Sequence, residues 1–196
     1  HLLHFALRFP VAAALGDELD SYVTEMRAGT ALAHGVYWTG DDYRRENYIE
    51  YTPNEQVFPV VVYGSRLLNY GDFVSMAKLL NEEGYYVVGG INGDYYNTWD
   101  YQPLGVVIKD GELISSDGGF YGIGFREDGT AFIGQPNVSA SVTFGGQERR
   151  LTGAINKVRK VLGSDGTGGL TLLTSDFAST TQNTQAGVDV VLVPAD

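Results

Sequence analysis

The chain has 196 residues, 43% of them hydrophobic and 19% charged, and this balance predicts a folded domain with its own core rather than a disordered segment. Its formal net charge of −11 argues against non-specific binding to nucleic acid or to an anionic membrane surface, because both need basic patches. The lack of cysteine excludes disulfides, thiolate chemistry and cysteine-ligated zinc.

The first segment, HLLHFALRFPVAAALGDE, is apolar but is interrupted by Arg8 and Pro10. We expect it to be the cut edge of a longer polypeptide. No stretch reaches the roughly 20 apolar residues of a membrane-spanning helix, so no membrane span is predicted. A weak helical pattern runs from Val11 to Met26. Because no repeat or linker divides the sequence, residues 1–196 are predicted to form a single domain, or the N-terminal major part of a larger one.

The strongest helix signal is DFVSMAKLLNEE, residues 72–83. Asp72 is suited to the N-cap, and Gly84 is suited to the first position after the helix. Apolar residues recur at helical spacing and predict one buried face, made by Phe73, Met76, Ala77 and Leu80.

The apolar runs FPVVVY (58–63) and YYVVGGI (85–91) flank this helix. Continuous apolar runs of this length are typical of strands covered on both faces. A strand–helix–strand order with a right-handed crossover would make the two strands parallel.

After Pro103 the pattern changes to short strands. The pairs Asp110-Gly111 and Asp128-Gly129 predict two β-hairpins with type I′ or related turns. The further strand candidates are SASVTF (139–144), RRLTGAINKV (149–158), LTLLTS (170–175) and VDVVLV (188–193). The sequence therefore predicts an α+β fold with strand-rich mixed sheets, β-hairpins and one helix packed against the sheet.

A third pair that ends in glycine, Asn92-Gly93, does not lie between two short strand-like segments as the hairpin pairs do. It follows the predicted buried strand 85–91, and ligands of α/β units bind beyond the carboxyl ends of such strands. Asp94 adds a carboxylate, and the next residues bring flat rings with polar tips that suit sugars. These aromatic residues are Tyr95, Tyr96, Trp99 and Tyr101. The alternative interpretation is a glycine-rich loop with aromatic residues packed beneath it.

Oxygen-bearing side chains are also concentrated here, at Asn92, Asp94, Asn97 and Asp100. A hard cation such as calcium is the alternative ligand considered for these oxygens, although their spacing is not that of an EF-hand loop. No cofactor and no metal ligand are otherwise predicted.

The stretches GGINGDYY, PLGVVIKDGELISS and GIGFREDGTAFIG occur in this order. In order and spacing they resemble the phosphodiester glycosidase family, as do INKVR and LLTSDFASTT further on. The resemblance covers most of residues 30–194. Family members continue with an Asp-Gly-Gly-Gly-Ser-type motif, whereas this sequence ends at VLVPAD, so it is expected to be part of the catalytic domain.

The resemblance implies a hydrolase that releases a sugar similar to N-acetylglucosamine from an anomeric phosphodiester. Its substrate would be a carbohydrate or sugar phosphate of the cell surface or cell wall. Because the family includes many exported bacterial proteins, an extracellular or cell-surface location is implied.

Within this interpretation Asp94 is the candidate base or nucleophile, and Asp176 is a candidate second carboxylate with an N-cap or turn role as its alternative. Arg159 would anchor the phosphate, because guanidinium binds such oxygens in pairs. The remaining candidates for substrate binding are Asn92, Gly93, Tyr95, Tyr96, Gly105, Asn156 and Thr180. Asn156 and Arg159 are chosen because they match an Asn-x-x-Arg stretch of the family.

The other cations of this region are Arg149, Arg150, Lys157 and Lys160. For Arg149, Arg150 and Lys160 we favour a solvated strand face over phosphate binding.

Two other functions remain open from the sequence. The same aromatic groove would serve a non-catalytic carbohydrate or cell-wall binding module. A structural surface domain without a small-molecule site is the third.

Overall fold

The computed structural model describes residues 15–69, 71–116, 119–151, 155–158, 169–183 and 187–193. It contains two compact units. Of the described residues, the first unit contains 15–58 together with Val88–Ile91 and Glu127–Gly129, and the second contains those within 59–87, within 92–126 and from 130 onwards. Each unit is described separately.

The first unit is built on an antiparallel three-stranded sheet in the order β1-β2-β3. Its strands are β1 Asp17–Arg27, β2 Thr30–Trp38 and β3 Tyr43–Tyr51. The helix predicted near Val11 to Met26 is therefore wrong over β1. The physical reason is tertiary, because β1 pairs with β2 along its length and the β-favouring Tyr22, Val23 and Thr24 lie within this ladder.

One face of this sheet is covered around the centre of β2, where Ala33 and Tyr37 are buried. Gly35 lies between them, and the ring of Tyr37 folds over it. A Cβ atom at position 35 would stand 2.6 Å from Cε2 of Tyr37. Glycine is therefore needed here for the close approach of the ring.

The second unit contains α1, Phe73–Glu82. Asp72 caps its start by accepting a hydrogen bond from the Ser75 amide at 2.8 Å. At its end Gly84 has a φ of 95°, and the amides of Gly84 and Tyr85 return to the carbonyls of Asn81 and Leu80. This is a Schellman ending. The predicted limits of the helix are confirmed, and of its apolar face Leu80 is buried while Phe73 is exposed.

Three two-stranded antiparallel sheets follow in the second unit. They pair β4 Val107–Lys109 with β5 Glu112–Ser115, β6 Gly122–Phe125 with β7 Ala131–Gly134, and β8 Ser141–Phe144 with β9 Gln147–Arg150. Asp110 and Gly111 both have positive φ, 52° and 80°, as a type I′ turn requires. The predicted hairpins at 110–111 and 128–129 are thus confirmed, and so is the strand-rich α+β class.

Several predicted strands do not form in the described residues. The segments 58–63 and 85–91 are not strands, so the parallel strand–helix–strand unit is wrong. The segment 188–193 is not a strand either, and 170–175 contributes only an isolated bridge between Leu172 and Ile155. An apolar run becomes a strand only where another backbone pairs with it. A few residues after 58–63, the amides of Leu67 and Leu68 donate hydrogen bonds to the carbonyls of Asp176 and Phe177.

A small core of the second unit gathers Leu67, Val107 and Ile114, with Tyr63 packed against it. Phe177 is 1% exposed and is the largest of the fully buried side chains. Among the residues that the structure describes, no helix has the length and apolar character needed to cross a membrane.

Candidate functional site

The loop 94–105 is closed at its base by the side chain of Asp94. Its Oδ1 accepts a hydrogen bond from the Tyr95 amide at 2.7 Å, and its Oδ2 accepts one from the Gly105 amide at 2.7 Å. The Leu104 amide donates to the Tyr95 carbonyl at 3.0 Å. A carboxylate offers about four acceptor positions, so two remain for a ligand. Asp94 is exposed to solvent.

Polar side chains also shape the tip of this loop. Asn97 Oδ1 accepts from the Trp99 amide at 3.0 Å, and Asp100 Oδ1 accepts from the Gln102 amide at 3.1 Å. The Asn97 amide donates to the Gln102 carbonyl at 2.8 Å. Tyr101 adopts a left-handed φ of 59°. The loop therefore turns at 97–102 and not at Asn92-Gly93, where neither residue has positive φ.

The aromatic side chains of the loop face solvent to different degrees. Trp99 is 93% exposed and Tyr95 is 82% exposed. Tyr96 and Tyr101 stack with their ring centroids 6.2 Å apart. The interpretation in which these residues are packed beneath the loop does not hold for Trp99 and Tyr95, which offer open ring faces.

Lys157 braces the loop from the segment 155–158. It is buried, and its Nζ donates to the carbonyl oxygens of Pro103 and of Gly105, the latter at 3.1 Å, with that of Leu104 at 3.5 Å. The Val158 amide donates to the side-chain oxygen of Gln102. Three ammonium hydrogens thus face three consecutive carbonyls, which fixes the returning arm of the loop.

Asn156, next to Lys157, is fully buried. Its Nδ2 donates to the Ile114 carbonyl at 2.7 Å and to Thr174 Oγ1 at 2.8 Å, and its Oδ1 accepts from the Thr174 amide at 2.7 Å. Its φ of 49° is a left-handed value that asparagine tolerates better than most residues. In this arrangement the side chain cross-links three segments of the unit.

Asp176 is held in a network of hydroxyl groups. Its Oδ1 accepts from the Tyr63 hydroxyl at 2.9 Å, and its Oδ2 accepts from Thr174 Oγ1 at 3.1 Å. Burial, followed by the hydrogen bond and the charge of Asp176, raises the pKa of Tyr63 to about 12. Because Thr174 also contacts Asn156, a continuous chain of hydrogen bonds links Asp176 to the segment that carries Lys157.

The structure brings some of the predicted site residues together and leaves others apart. Asp94, Tyr95, Tyr96 and Gly105 share one loop, while Asn156 and Asp176 belong to the network beside its brace. Asn92 and Gly93 precede the loop and are exposed, and a Cβ at Gly93 would meet nothing within 4 Å. Thr180 is exposed, and its hydroxyl accepts from the Gln182 amide at 3.4 Å. Arg159 and Lys160 lie outside the described residues, and Arg149 and Arg150 lie on the exposed strand β9.

Within the described ranges no group of three or more His, Asp or Glu side chains is arranged to hold a metal. The oxygens of Asp94, Asn97 and Asp100 that were considered for calcium accept hydrogen bonds from loop amides.

A cavity of about 290 Å³ lies in the first unit. Its lining residues are Tyr51, Pro53, Asn54, Glu55, Phe58, Glu127, Asp128 and Gly129. None of these is a predicted site residue.

Sequence reasoning did not assign Lys157, Gln102 or Tyr63 to the site. The signal for Lys157 is a single charge within the otherwise uncharged stretch Ile155–Val158, because a lysine that is buried needs polar partners. No local pattern marks Gln102 or Tyr63.

Chemically, the arrangement is an accessible carboxylate on a stiff loop with open aromatic faces beside it. No family model matches this chain, and neither does any curated protein or solved structure.

Proposed function

We propose that this protein is a glycoside hydrolase that releases a sugar from an anomeric phosphodiester, with Asp94 acting at the anomeric carbon. The observation that carries the proposal is the position of an exposed, doubly hydrogen-bonded carboxylate at the base of a loop with open aromatic faces. Aromatic faces suit the apolar side of a sugar ring. The preorganised carboxylate suits a reaction centre that becomes positively charged.

The chemistry of the bond sets the demands on the site. Cleavage at the anomeric carbon develops oxocarbenium character, which a carboxylate stabilises or attacks. A phosphodiester leaving group is a weak base and needs charge neutralisation more than a proton. Arg159 remains the proposed anchor for the phosphate, and Asp176 the proposed second carboxylate.

The proposal is tested by assaying sugar release from an N-acetylglucosamine-1-phosphodiester. Asp94→Asn keeps the size of the side chain and removes its charge, so we expect hydrolysis to fall by at least about a hundredfold. Asp20→Asn, in the exposed strand β1 of the first unit, makes the same change of side chain and should leave the rate unaltered. Circular dichroism checks that both variants fold. If Asp94→Asn released sugar at a rate near that of wild type, Asp94 would not be the group that acts at the anomeric carbon.

A second candidate function is a carbohydrate-binding module without turnover. The observation that favours it is the exposure of Trp99 and Tyr95, at 93% and 82%, together with the use of both Asp94 oxygens inside the loop.

Trp99→Ala should weaken glycan binding roughly tenfold, because a stacking face is lost. Trp38 is the other of the two tryptophans, so a Trp38→Phe background lets Trp99 fluorescence report binding by the parent protein. Calorimetry measures the loss in Trp99→Ala. Binding without sugar release identifies a module, whereas unchanged affinity in Trp99→Ala excludes this loop as the binding surface.

A further inference from the structure

We infer that Lys157 is a positioning residue for Asp94, acting through the peptide group between Leu104 and Gly105. The catalytic consequence of this inference rests on the proposed function, but its structural part does not. Lys157 is 8% exposed, and its ammonium group is surrounded by the carbonyl oxygens of residues 103–105.

The Leu104 carbonyl and the Gly105 amide belong to the same peptide group. The Lys157 Nζ atom lies 3.5 Å from the Leu104 carbonyl oxygen of this peptide. The Gly105 N–H of the same peptide donates to Asp94 Oδ2 at 2.7 Å. A cation and an anion thus lie at opposite ends of one peptide dipole. Each polarises the peptide in the direction that strengthens the hydrogen bond of the other.

The surrounding contacts hold this alignment in place. The Val158 amide, one residue after Lys157, donates to the Gln102 side chain, and Lys157 itself also contacts Gly105 O at 3.1 Å. A Cβ at Gly105 would lie 3.1 Å from Asp94 Oδ2, so glycine allows the carboxylate its close approach to the peptide. The position of Asp94 is therefore set from a segment more than fifty residues away along the chain.

A lysine that merely filled space beneath the loop would make a different prediction. Methionine has similar length and no charge, so it would replace a space-filling lysine without altering the Gly105 N–H. A lysine that polarises the peptide cannot be replaced in this way, whereas arginine can preserve the cation.

The test is nuclear magnetic resonance of the 196-residue chain, with the Gly105 amide as the probe. In Lys157→Met we expect its proton resonance to move upfield and its hydrogen exchange to become roughly tenfold faster. Lys157→Arg should restore most of both values. The internal reference is the Ser75 amide, which also donates to an aspartate, Asp72, at 2.8 Å and is not a partner of Lys157.

Lys109→Met is the matched control, because the Lys109 ammonium forms an ion pair with Glu83 at 3.7 Å and lies 5.9 Å from the ring centre of Tyr63, neither of which belongs to the loop. It should leave the Gly105 amide unchanged. If Lys157→Met does not fold, Lys157→Gln supplies a second uncharged variant, whose shorter side chain keeps an N–H donor. An unaltered Gly105 amide in a folded, uncharged variant overturns the inference.

Kinetics supply the second measurement. If Lys157 positions Asp94, Lys157→Met should lower kcat by roughly 10- to 100-fold with KM little changed, and Lys157→Arg should recover part of the loss. A wild-type protein that turns over no sugar phosphodiester refutes the proposed function, while the Gly105 amide still decides the role of Lys157. A variant with wild-type kcat and a shifted amide overturns the catalytic part alone.

Discussion

The loop 94–105 and the hairpin at Asp110-Gly111 follow one another in the same unit, yet they are held in different ways. In the hairpin, a two-residue turn with positive φ at both residues connects β4 to β5, and the two strands pair with each other. The loop is closed by two side chains that bind Gly105: Asp94 accepts a hydrogen bond from its amide, and Lys157 donates one to its carbonyl. The turn of the hairpin is thus encoded locally, although Asn156 also bonds the Ile114 carbonyl in β5. The loop, in contrast, is closed with the help of Lys157, which is far away in sequence. Such a loop can hold a functional group in a fixed position.

The largest effect is expected for Asn156→Ala, which should weaken the network beside the brace of the loop. The change removes the hydrogen bond to the carbonyl of the buried Ile114 and the two hydrogen bonds to Thr174, which is exposed. We expect the free energy of unfolding to fall by roughly 3–5 kcal/mol, measured by urea denaturation. Asn156→Gly, which relieves the left-handed φ of 49°, separates the backbone contribution from the side chain. A loss below about 1 kcal/mol would show that the network contributes little.

A smaller effect is expected at high pH through Tyr63. Its pKa is raised to about 12 in the folded protein, against about 10 in an unfolded chain, so the folded state holds this proton more tightly. The resulting stability is fully present below pH 10 and is lost as the pH rises towards 12. Denaturation at several pH values should show this decline, and Tyr63→Phe should reduce it. An equal decline in both proteins would assign it to other groups.

The smallest effects are expected for two glycines, Gly111 in the hairpin turn and Gly93 just before the loop. Gly111 has a φ of 80°, which strains any residue with a side chain, whereas the φ of Gly93 is not positive. A Cβ atom at either position would meet no atom within 4 Å, so the two positions differ only in backbone conformation. Gly111→Ala should therefore cost about 1 kcal/mol of stability, and Gly93→Ala should cost close to zero. Thermal unfolding of the two variants measures the difference. Equal losses would mean that Asn92-Gly93 is a turn after all.

The sequence by itself determined the elements whose signals are local. Asp72 and Gly84 mark the ends of α1 because capping needs only neighbouring amides and carbonyls, and Asp110-Gly111 marks a hairpin because its dihedrals are those that these residues tolerate. It also singled out the loop that carries Asp94 and its aromatic side chains. Only the tertiary structure decided that 58–63 and 85–91 are not strands and that Lys157 and Gln102 brace this loop. The reason is physical, because strand pairing and the partners of a buried charge depend on backbone groups brought close by the fold, which no local pattern specifies.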